Sequence, residues 1–333
     1  MSATWTGFHS LLASDITQYL ATKRALGCKF ATEDRTLRLL DRFLVERQVR
    51  RLDDITSACL AEFLASRQRS NGKSYNHLLG IVRRLFDWLV SQQVLAVSPL
   101  QAQPQRETAH RLPFLFEPAV IKQLLAEAAR LPDNPRSRLR GPTYATIFAL
   151  LAGLGLRISE VARLQCGDVD LERDVLEIRD SKFGKSRLVP FGPRLALRLR
   201  TYLEQREHQG WPCTGSAPLF SWDGQRPIST NTIRNTFHGD LLPRLALAVP
   251  AGTYGPRVHG LRHTFAVRTL LRWYREGADL QARMPVLATY LGHASIDGTQ
   301  DYLQMTAELY PEIVSRSDAA FSDVIPRRPW RPS

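Results

Sequence analysis

Apolar residues recur at helical spacing through the first hundred residues, and this pattern strongly constrains the fold. Three groups repeat every three to four residues, which places each group on one face of a helix. Their members are Leu12, Ile16, Tyr19 and Leu20, then Leu37, Leu40, Phe43 and Leu44, then Leu78, Val82, Leu85, Phe86 and Leu89. Helices with one apolar face bury it against each other, so we predict a small all-helical N-terminal domain.

Proline sets the expected end of that domain. Ser98-Pro99 is predicted to stop the last helix, because proline disfavours helical geometry in the residue before it. Residues 104–113 begin and end with proline and are otherwise mostly polar, which is typical of an extended linker. We therefore expect a helical domain over residues 1–103, a linker over 104–113 and a second domain over 114–333.

The second domain combines helices with a little β-structure. Pro118 opens a helix, residues 132–142 are predicted to form a loop, and the only clear strands are 175–179 and 187–191, joined by a glycine-containing turn. Later helices are predicted at 230–237, 261–274, 285–291 and 299–305, with Pro285 in a first helical turn because proline fits there. The predicted fold class is mainly α with a small antiparallel β-sheet, the C-terminal domain being mixed α+β.

The chain is strongly basic. It carries 45 Lys and Arg against 32 Asp and Glu, a formal net charge of +13. The excess lies on both sides of the linker, which favours a polyanionic partner that both domains touch. A basic balance can also serve solubility alone, so charge by itself leaves both interpretations open.

Cysteine usage and hydropathy indicate the compartment. Cys28, Cys59, Cys166 and Cys213 lie far apart with no Cys-x-x-Cys pair, which disfavours a disulfide framework and a zinc cluster. We expect reduced, mostly buried thiols in a cytoplasmic protein. The longest apolar stretch, around residues 145–156, is too short and glycine-rich to span a bilayer, so no membrane partner is expected.

From residue 157 onward, the chain carries an ordered set of groups suited to phosphate chemistry. Breaking a phosphodiester without a metal needs a nucleophile, cations on the non-bridging oxygens and a proton donor for the leaving oxygen. Arginine suits the clamp because its planar fork matches two phosphate oxygens. Glu160, one turn after Arg157, can orient it. The candidates, in chain order, are Arg157, Lys182, His259, Arg262, His263, His293 and Tyr302.

The strings around these residues resemble the tyrosine recombinase family, also called phage integrases. The resemblance covers roughly residues 117–305. Its parts are Gly-Leu-Arg157-Ile-Ser-Glu160, the basic hairpin from Ser181 to Pro190, His259-Gly-Leu-Arg262-His263, Leu291-Gly292-His293, and Tyr302 nine residues after His293. Four strings in the family's order make a chance match improbable.

The resemblance implies a role for each residue. Tyr302 would attack the scissile phosphate to give a 3′-phosphotyrosyl link, with Arg157 and Arg262 stabilising the transition state. Lys182 would protonate the departing 5′ oxygen, His259 would assist as acid or base, and His293 would hydrogen-bond the phosphate. Because a 5′-hydroxyl can reverse the step, neither ATP nor a metal is needed, and no cofactor is expected.

Several assignments have rivals. Tyr274, Tyr290 and Tyr310 compete with Tyr302, and Lys185 competes with Lys182. His259 and His263 could form a zinc pair, but the string lacks the Glu of His-Glu-x-x-His and Arg262 would repel a cation, so we expect His263 to be structural.

The sequence departs from the family's pattern in three places. Gly260 stands where the family often has Asp, and Tyr302 lacks the nearby His that many members carry. The longer stretch at residues 273–285 resembles transposon- or plasmid-borne members.

Expected DNA contacts come from both domains, which would close on duplex DNA as a C-shaped clamp. A solvated helix face is an equal alternative for any one of the N-terminal residues. The expected contacts are Lys185 and Arg187 in the hairpin, and Asn71, Lys73, Asn76, Arg83 and Arg84 in the first domain.

The leading function is site-specific DNA recombination, for integration, transposition or dimer resolution. A homo-tetramer on paired sites, with or without sister recombinases or accessory proteins, would exchange strands through a Holliday junction. The alternatives are a type IB topoisomerase, which religates the same strand as a monomer, and a DNA-binding accessory protein without activity.

Overall fold

The computed structural model describes residues 7–28, 30–69, 71–106, 111–181, 186–245 and 247–292. The chain divides into two compact units, residues 1–110 and residues 111–333. Within the described ranges, no helix combines the length and apolar character needed to cross a bilayer.

The first unit is helical, as predicted. Its helices are α1 (Ala13–Ala25), α2 (Ala31–Glu46), α3 (Ser57–Ser66) and α4 (Gly72–Ser91), with a short 3-10 turn at Leu52–Asp54. Every apolar residue that set the predicted periodicity is buried in one core. Helix α3, which the periodicity did not reveal, adds Leu60, Phe63 and Leu64 to that core.

The predicted end of the last helix in this unit was wrong. Helix α4 ends at Ser91, several residues before Pro99. The chain turns at Gln93, which adopts a positive φ of 59°, and the amide of Val94 closes the turn on the carbonyl of Leu89. The local turn therefore ends the helix before proline can.

The second unit is built around one mostly buried helix. Its helices are α5 (Pro118–Ala129), α6 (Arg140–Leu154), α7 (Ile158–Val161), α8 (Pro193–His208), α9 (Thr230–Thr236), α10 (Val258–Arg275) and α11 (Leu280–Leu291), with a π-helical turn at Phe237–Leu241. Every residue from Thr143 to Leu151 of α6 is buried, and α6 packs against α5, α8 and α10. Since α6 begins at Arg140, the loop expected through residue 142 ends earlier.

A three-stranded antiparallel sheet lies beside the helices. Its strands are β1 (Val169–Asp170), β2 (Val175–Ile178) and β3 (Arg187–Pro190), in the order β1-β2-β3. Val175 pairs with Pro190 and Ile178 pairs with Arg187. The two longer strands match the predicted hairpin, and the two-residue β1 was not predicted. Residues 182–185 of the turn lie outside the described ranges.

Helix α11 begins earlier than proline suggested. The side chain of Asp279 accepts hydrogen bonds from the amides of Gln281 and Ala282, which starts the helix at Leu280. Pro285 therefore lies inside the helix rather than in its first turn. An N-cap carboxylate accepts hydrogen bonds from amides that would otherwise be unpaired. The helix therefore begins directly after Asp279 and not at the later proline.

The four cysteines are free, as predicted from their spacing. Burial differs from the expectation. Only Cys166 is fully buried, Cys59 and Cys213 are partly exposed, and Cys28 is exposed in the turn after α1.

Candidate active site

Both arginines predicted to clamp phosphate reach the C-terminal end of α11. Arg157 is the residue before α7, and Arg262 lies in the second turn of α10. His259 is exposed in the first turn of α10. The remaining predicted groups, Lys182, Lys185, His293 and Tyr302, lie outside the described residues.

Arg262 is buried and joins three helices. Its side chain donates to the carbonyl oxygen of Gly155 at 2.7 Å and to that of Leu291 at 2.6 Å. These acceptors belong to the C-terminal ends of α6 and α11, where unpaired carbonyls carry partial negative charge. Arg262, only 1% exposed, therefore fixes both helix ends to the start of α10.

Arg157 donates to the next carbonyl along α11. Its Nη2 lies 2.7 Å from the oxygen of Gly292, and its Nη1 donates to Ser181 at 3.0 Å and to Glu160 at 2.8 Å. Arg262 and Arg157 thus bind the carbonyls of consecutive residues, Leu291 and Gly292. The residue that follows in the chain is His293.

Glu160 is the counter-charge of this region. Its carboxylate accepts from the Arg157 amide at 2.8 Å, from the Arg157 guanidinium, from the Ser181 hydroxyl, and from both terminal nitrogens of Arg187 at 3.0 Å. We call Glu160, Arg157, Arg187 and Ser181 the Glu160 cluster.

The cluster keeps Glu160 ionised. Burial alone would raise the pKa of this carboxyl, but hydrogen bonds from Arg187, Ser181 and the Arg157 amide, with the charge of Arg187, lower the pKa to about 2. Glu160 therefore remains an anion throughout the pH range in which the two arginines act.

Arg187 lies inside the protein, which corrects the expectation that it faces DNA. Its side chain is 10% exposed, and besides Glu160 it donates from Nε to the carbonyl oxygen of Tyr290 at 2.7 Å. Three successive carbonyls at the C-terminal end of α11, those of Tyr290, Leu291 and the C-cap Gly292, thus each accept from a different arginine. Strand alternation could have revealed this, because Val189 points inward and Arg187 lies on the same face.

Gly292 is required by geometry at the end of α11. It adopts a positive φ of 68°, and a Cβ there would lie 2.9 Å from one guanidinium nitrogen of Arg187 and 3.3 Å from one of Arg157. Both observations favour glycine over any other residue. The Leu-Gly-His string therefore reflects close packing of arginines on the helix end.

Close packing also favours glycine at position 260, where the family often has Asp. A Cβ at this position would lie 2.9 Å from the carbonyl oxygen of Phe114 and 2.9 Å from the ring of Phe116. The amide of Phe116 in turn donates to the Thr264 hydroxyl at 2.8 Å. The segment that enters the second unit therefore packs directly on the first turns of α10.

The two histidines of α10 differ in environment. Burial, aided by the charge of Arg262, lowers the pKa of His263 to about 4, so His263 is neutral at neutral pH. Its ring meets that of His259 edge to face, with centroids 4.6 Å apart. In the part of the chain that the structure describes, no group of three or more His, Cys, Asp or Glu could hold a metal.

Tyr290, one rival for the nucleophile, is a packing residue. Its ring stacks on Phe265 with centroids 5.6 Å apart, and burial raises its pKa to about 12. A buried phenol with a raised pKa is a poor nucleophile at neutral pH.

Two of the N-terminal residues predicted to contact DNA organise their own unit. The Asn71 side chain accepts from the amide of Ser74 at 2.8 Å and caps α4. Asn76 exchanges two hydrogen bonds of 2.8 Å with the backbone of Gln105. These contacts fix the start of α4 and the segment near the end of the unit.

The three charged candidates on α4 differ in whether their side chains bind other groups of the first unit. Arg83 donates to the carbonyl of Ala102 at 2.8 Å, and Arg84 lies 3.5 Å from Glu33 in a partly exposed ion pair. Lys73 is exposed near the start of the helix. Of the five, Lys73 therefore remains the clearest prediction for a contact with DNA.

Comparison with known proteins places this arrangement in a family. The sequence profile of the phage integrase family matches residues 115–308, more than half of the chain. The chain belongs to the phage integrase family. It is therefore a tyrosine recombinase, which is the class of site-specific recombinase that the sequence strings predicted.

Two relatives agree with this membership, and a solved structure shares the fold. The chain is 32% identical to the integrase/recombinase y4rB of Sinorhizobium fredii over 92% of this chain and 97% of that protein. It is 34% identical to the tyrosine recombinase XerA of Thermococcus kodakarensis over 56% of this chain and 57% of that one. A lambda integrase dimer bound to a COC′ core site shares the fold, with a TM-score of 0.62 at 17% identity over 90% of this chain and 79% of that one.

Proposed function

We propose that this tyrosine recombinase cuts and rejoins DNA strands with Tyr302 as the nucleophile, while Arg157 and Arg262 stabilise the pentacoordinate transition state. The observation that carries the proposal is the convergence of both guanidiniums on the consecutive carbonyls of Leu291 and Gly292. Tyr302 follows Gly292 by only ten residues in the chain. Both clamp residues are thus anchored where the chain leads into the nucleophile.

Each remaining group has a defined part in the proposed step. The Tyr302 hydroxyl gives up its proton, to His259 acting as base or to solvent, and its oxygen forms a bond to phosphorus as the bond from phosphorus to the 5′ oxygen breaks. Lys182 gives the departing 5′ oxygen its proton. His259 assists as acid or base, and His293 hydrogen-bonds the phosphate. Attack by a 5′-hydroxyl reverses the step, so the phosphotyrosyl link conserves the energy for ligation and neither ATP nor a metal enters the balance.

The proposed substrate is duplex DNA held at two paired sites by a tetramer, with strand exchange through a Holliday junction. The net charge of +13 supports a polyanionic partner. The similarity to y4rB extends over nearly the full length of both chains, which supports recombination rather than relaxation of supercoils. Integration or transposition of a mobile element is the use we propose, in the cytoplasm.

The proposal is tested with a duplex nicked close to the cleavage site, cut from DNA that flanks the gene. Loss of the short 5′-hydroxyl fragment traps the covalent adduct, which a denaturing gel separates from free protein. Wild type and Tyr302→Phe are compared in EDTA. We expect an adduct with wild type and none with Tyr302→Phe.

Other outcomes separate the alternatives. An adduct that survives in Tyr302→Phe would overturn the nucleophile. Relaxation of supercoiled plasmid without product exchange between two sites would favour a topoisomerase. Tight binding by wild type without any adduct would favour an accessory DNA-binding role.

A further inference from the structure

We propose that Arg187 is a positioning residue for strand cleavage, which holds the hairpin that carries Lys182 in register with the two clamp arginines at the end of α11. This inference rests on the proposed function, in which Lys182 protonates the leaving oxygen. Arg187 acts through Lys182 and touches no reacting atom.

Residues on both sides of the hairpin turn are hydrogen-bonded to Glu160. Ser181 immediately precedes the turn residues 182–185, and Arg187 follows them as the first residue of β3. Both side chains bind the same carboxylate: the Ser181 hydroxyl donates to Oε1 of Glu160, and Arg187 donates to Oε1 and Oε2. One buried anion therefore fixes both ends of the segment that carries Lys182.

Arg187 also connects the hairpin to the C-terminal end of α11, whose carbonyls the two clamp arginines bind. Its Nε donates to the carbonyl oxygen of Tyr290, one residue before the carbonyl that Arg262 binds and two before the carbonyl that Arg157 binds. The base of the hairpin, Glu160 and the end of α11 are thus joined through one guanidinium. A displacement of that guanidinium would disturb the described residues on both sides of Lys182 in the chain, Ser181 and the first residue of β3.

Arginine is the residue that this geometry requires. The planar guanidinium presents two parallel N–H groups to the carboxylate and still offers Nε to a third acceptor. Lysine keeps the charge but is a single point donor on a flexible stem, so it cannot hold both acceptors in fixed directions. Arg187→Lys therefore removes the geometry while leaving a cation beside Glu160, which limits the damage to folding.

The test separates positioning of the proton donor from a general structural defect. Cleavage is measured on ordinary nicked DNA and on the same duplex with sulfur replacing the bridging 5′ oxygen at the scissile phosphate. A thiol has a far lower pKa than an alcohol, so a thiolate leaves without help from an acid. Defects in proton donation should disappear on the sulfur substrate, and defects in phosphate clamping should persist.

We expect Arg187→Lys to cleave ordinary DNA about 10²-fold more slowly than wild type, because displacement of a catalytic group by about 1 Å has that effect. On the sulfur substrate the loss should shrink to about threefold or less, as it should for Lys182→Ala. Arg157→Ala should remain slow on both substrates. Arg173→Lys changes an exposed arginine in the β1–β2 turn, 85% exposed, and should match wild type on both.

A loss that is equal on both substrates would overturn the inference, since Arg187 would then act on the clamp or on folding. Wild-type rates for Arg187→Lys on ordinary DNA would overturn it as well. Should Arg187→Lys fail to fold, Ser181→Ala removes the hydrogen bond to Glu160 on the other side of the turn without changing the charge. Its cleavage of ordinary DNA should be slowed less than that of Arg187→Lys, and its rate should likewise recover on the sulfur substrate. A cleavage rate that does not recover there would again contradict the inference.

Failure of the proposed function gives a different result. Wild type that forms no adduct with either substrate would overturn the proposed function and this inference with it. If Lys182→Ala stays slow on the sulfur substrate, the assignment of the proton donor falls, and the role of Arg187 falls with it. If wild type and Lys182→Ala behave as expected and Arg187→Lys does not recover, only the inference is lost.

Discussion

At the scale of single residues, Glu160 determines how two arginines share a small buried volume. Its carboxylate binds both Arg157 and Arg187 and is only 1% exposed. Without this anion, the two mostly buried guanidiniums would repel each other and lose their hydrogen bonds to the carboxylate. Breaking a buried ion pair by removing one partner typically costs about 3–5 kcal/mol.

Glu160→Gln should therefore lower the free energy of unfolding by about 3 kcal/mol at pH 7. The folded-state pKa of Glu160, about 2, lies below its ordinary value of 4.5, so its contribution is complete above pH 4.5 and is lost as pH falls toward 2. Urea titrations from pH 3 to 7 should show this decline in wild type and a weaker decline in Glu160→Gln. Glu172→Gln, at an exposed site, should keep the wild-type profile, and identical profiles for all three would contradict the role of Glu160.

Gly292→Ala should impair both stability and cleavage. An alanine at positive φ costs about 1 kcal/mol, and its Cβ would press on Arg187 and Arg157. Gly277→Ala is the matched control, since Gly277 has a φ of 72° after α10 but a Cβ there meets nothing within 4 Å. Denaturation and adduct formation are measured for both. Equal cleavage by the two variants would show that the close approach at residue 292 has no catalytic consequence.

At the scale of elements, two residues at the start of α4 have different expected roles, one in folding and the other in DNA binding. The Asn71 side chain caps this helix, whereas Lys73 is exposed two residues later, in the first turn. Asn71→Ala should cost about 1 kcal/mol of stability. Lys73→Ala should leave stability unchanged, weaken DNA binding and reduce by about one the slope of log K against log salt. The reverse pattern would contradict this assignment.

Helical periodicity predicted the elements whose apolar residues form one clear face, such as α1, α2 and α4. It missed α8, where Leu195, Leu197 and Leu199 alternate with other residues at a spacing of two and imitate a strand, although Leu197 is 64% exposed. Motif strings predicted Arg157 and Arg262, and the structure shows them at one helix end. The inward position of Arg187 and the contact of Ser181 depend on tertiary packing between the hairpin, α7 and α11, which local sequence does not encode directly.

At the scale of the whole molecule, a basic chain combines a helical first unit with a second unit whose arginines converge shortly before the proposed nucleophile. We propose that one tyrosine, Tyr302, becomes linked to DNA. The rivals Tyr290 and Tyr310 lie in the same predicted tryptic peptide, residues 284–316, so the peptide mass alone does not distinguish them.

The most direct test is to trap the wild-type adduct on nicked DNA, digest protein and DNA, and locate the nucleotide on the linked peptide by fragmentation in a mass spectrometer. We predict that the nucleotide is attached to Tyr302, through a 3′-phosphate. Attachment to Tyr290, Tyr274 or Tyr310, or to a residue other than tyrosine, would contradict the account.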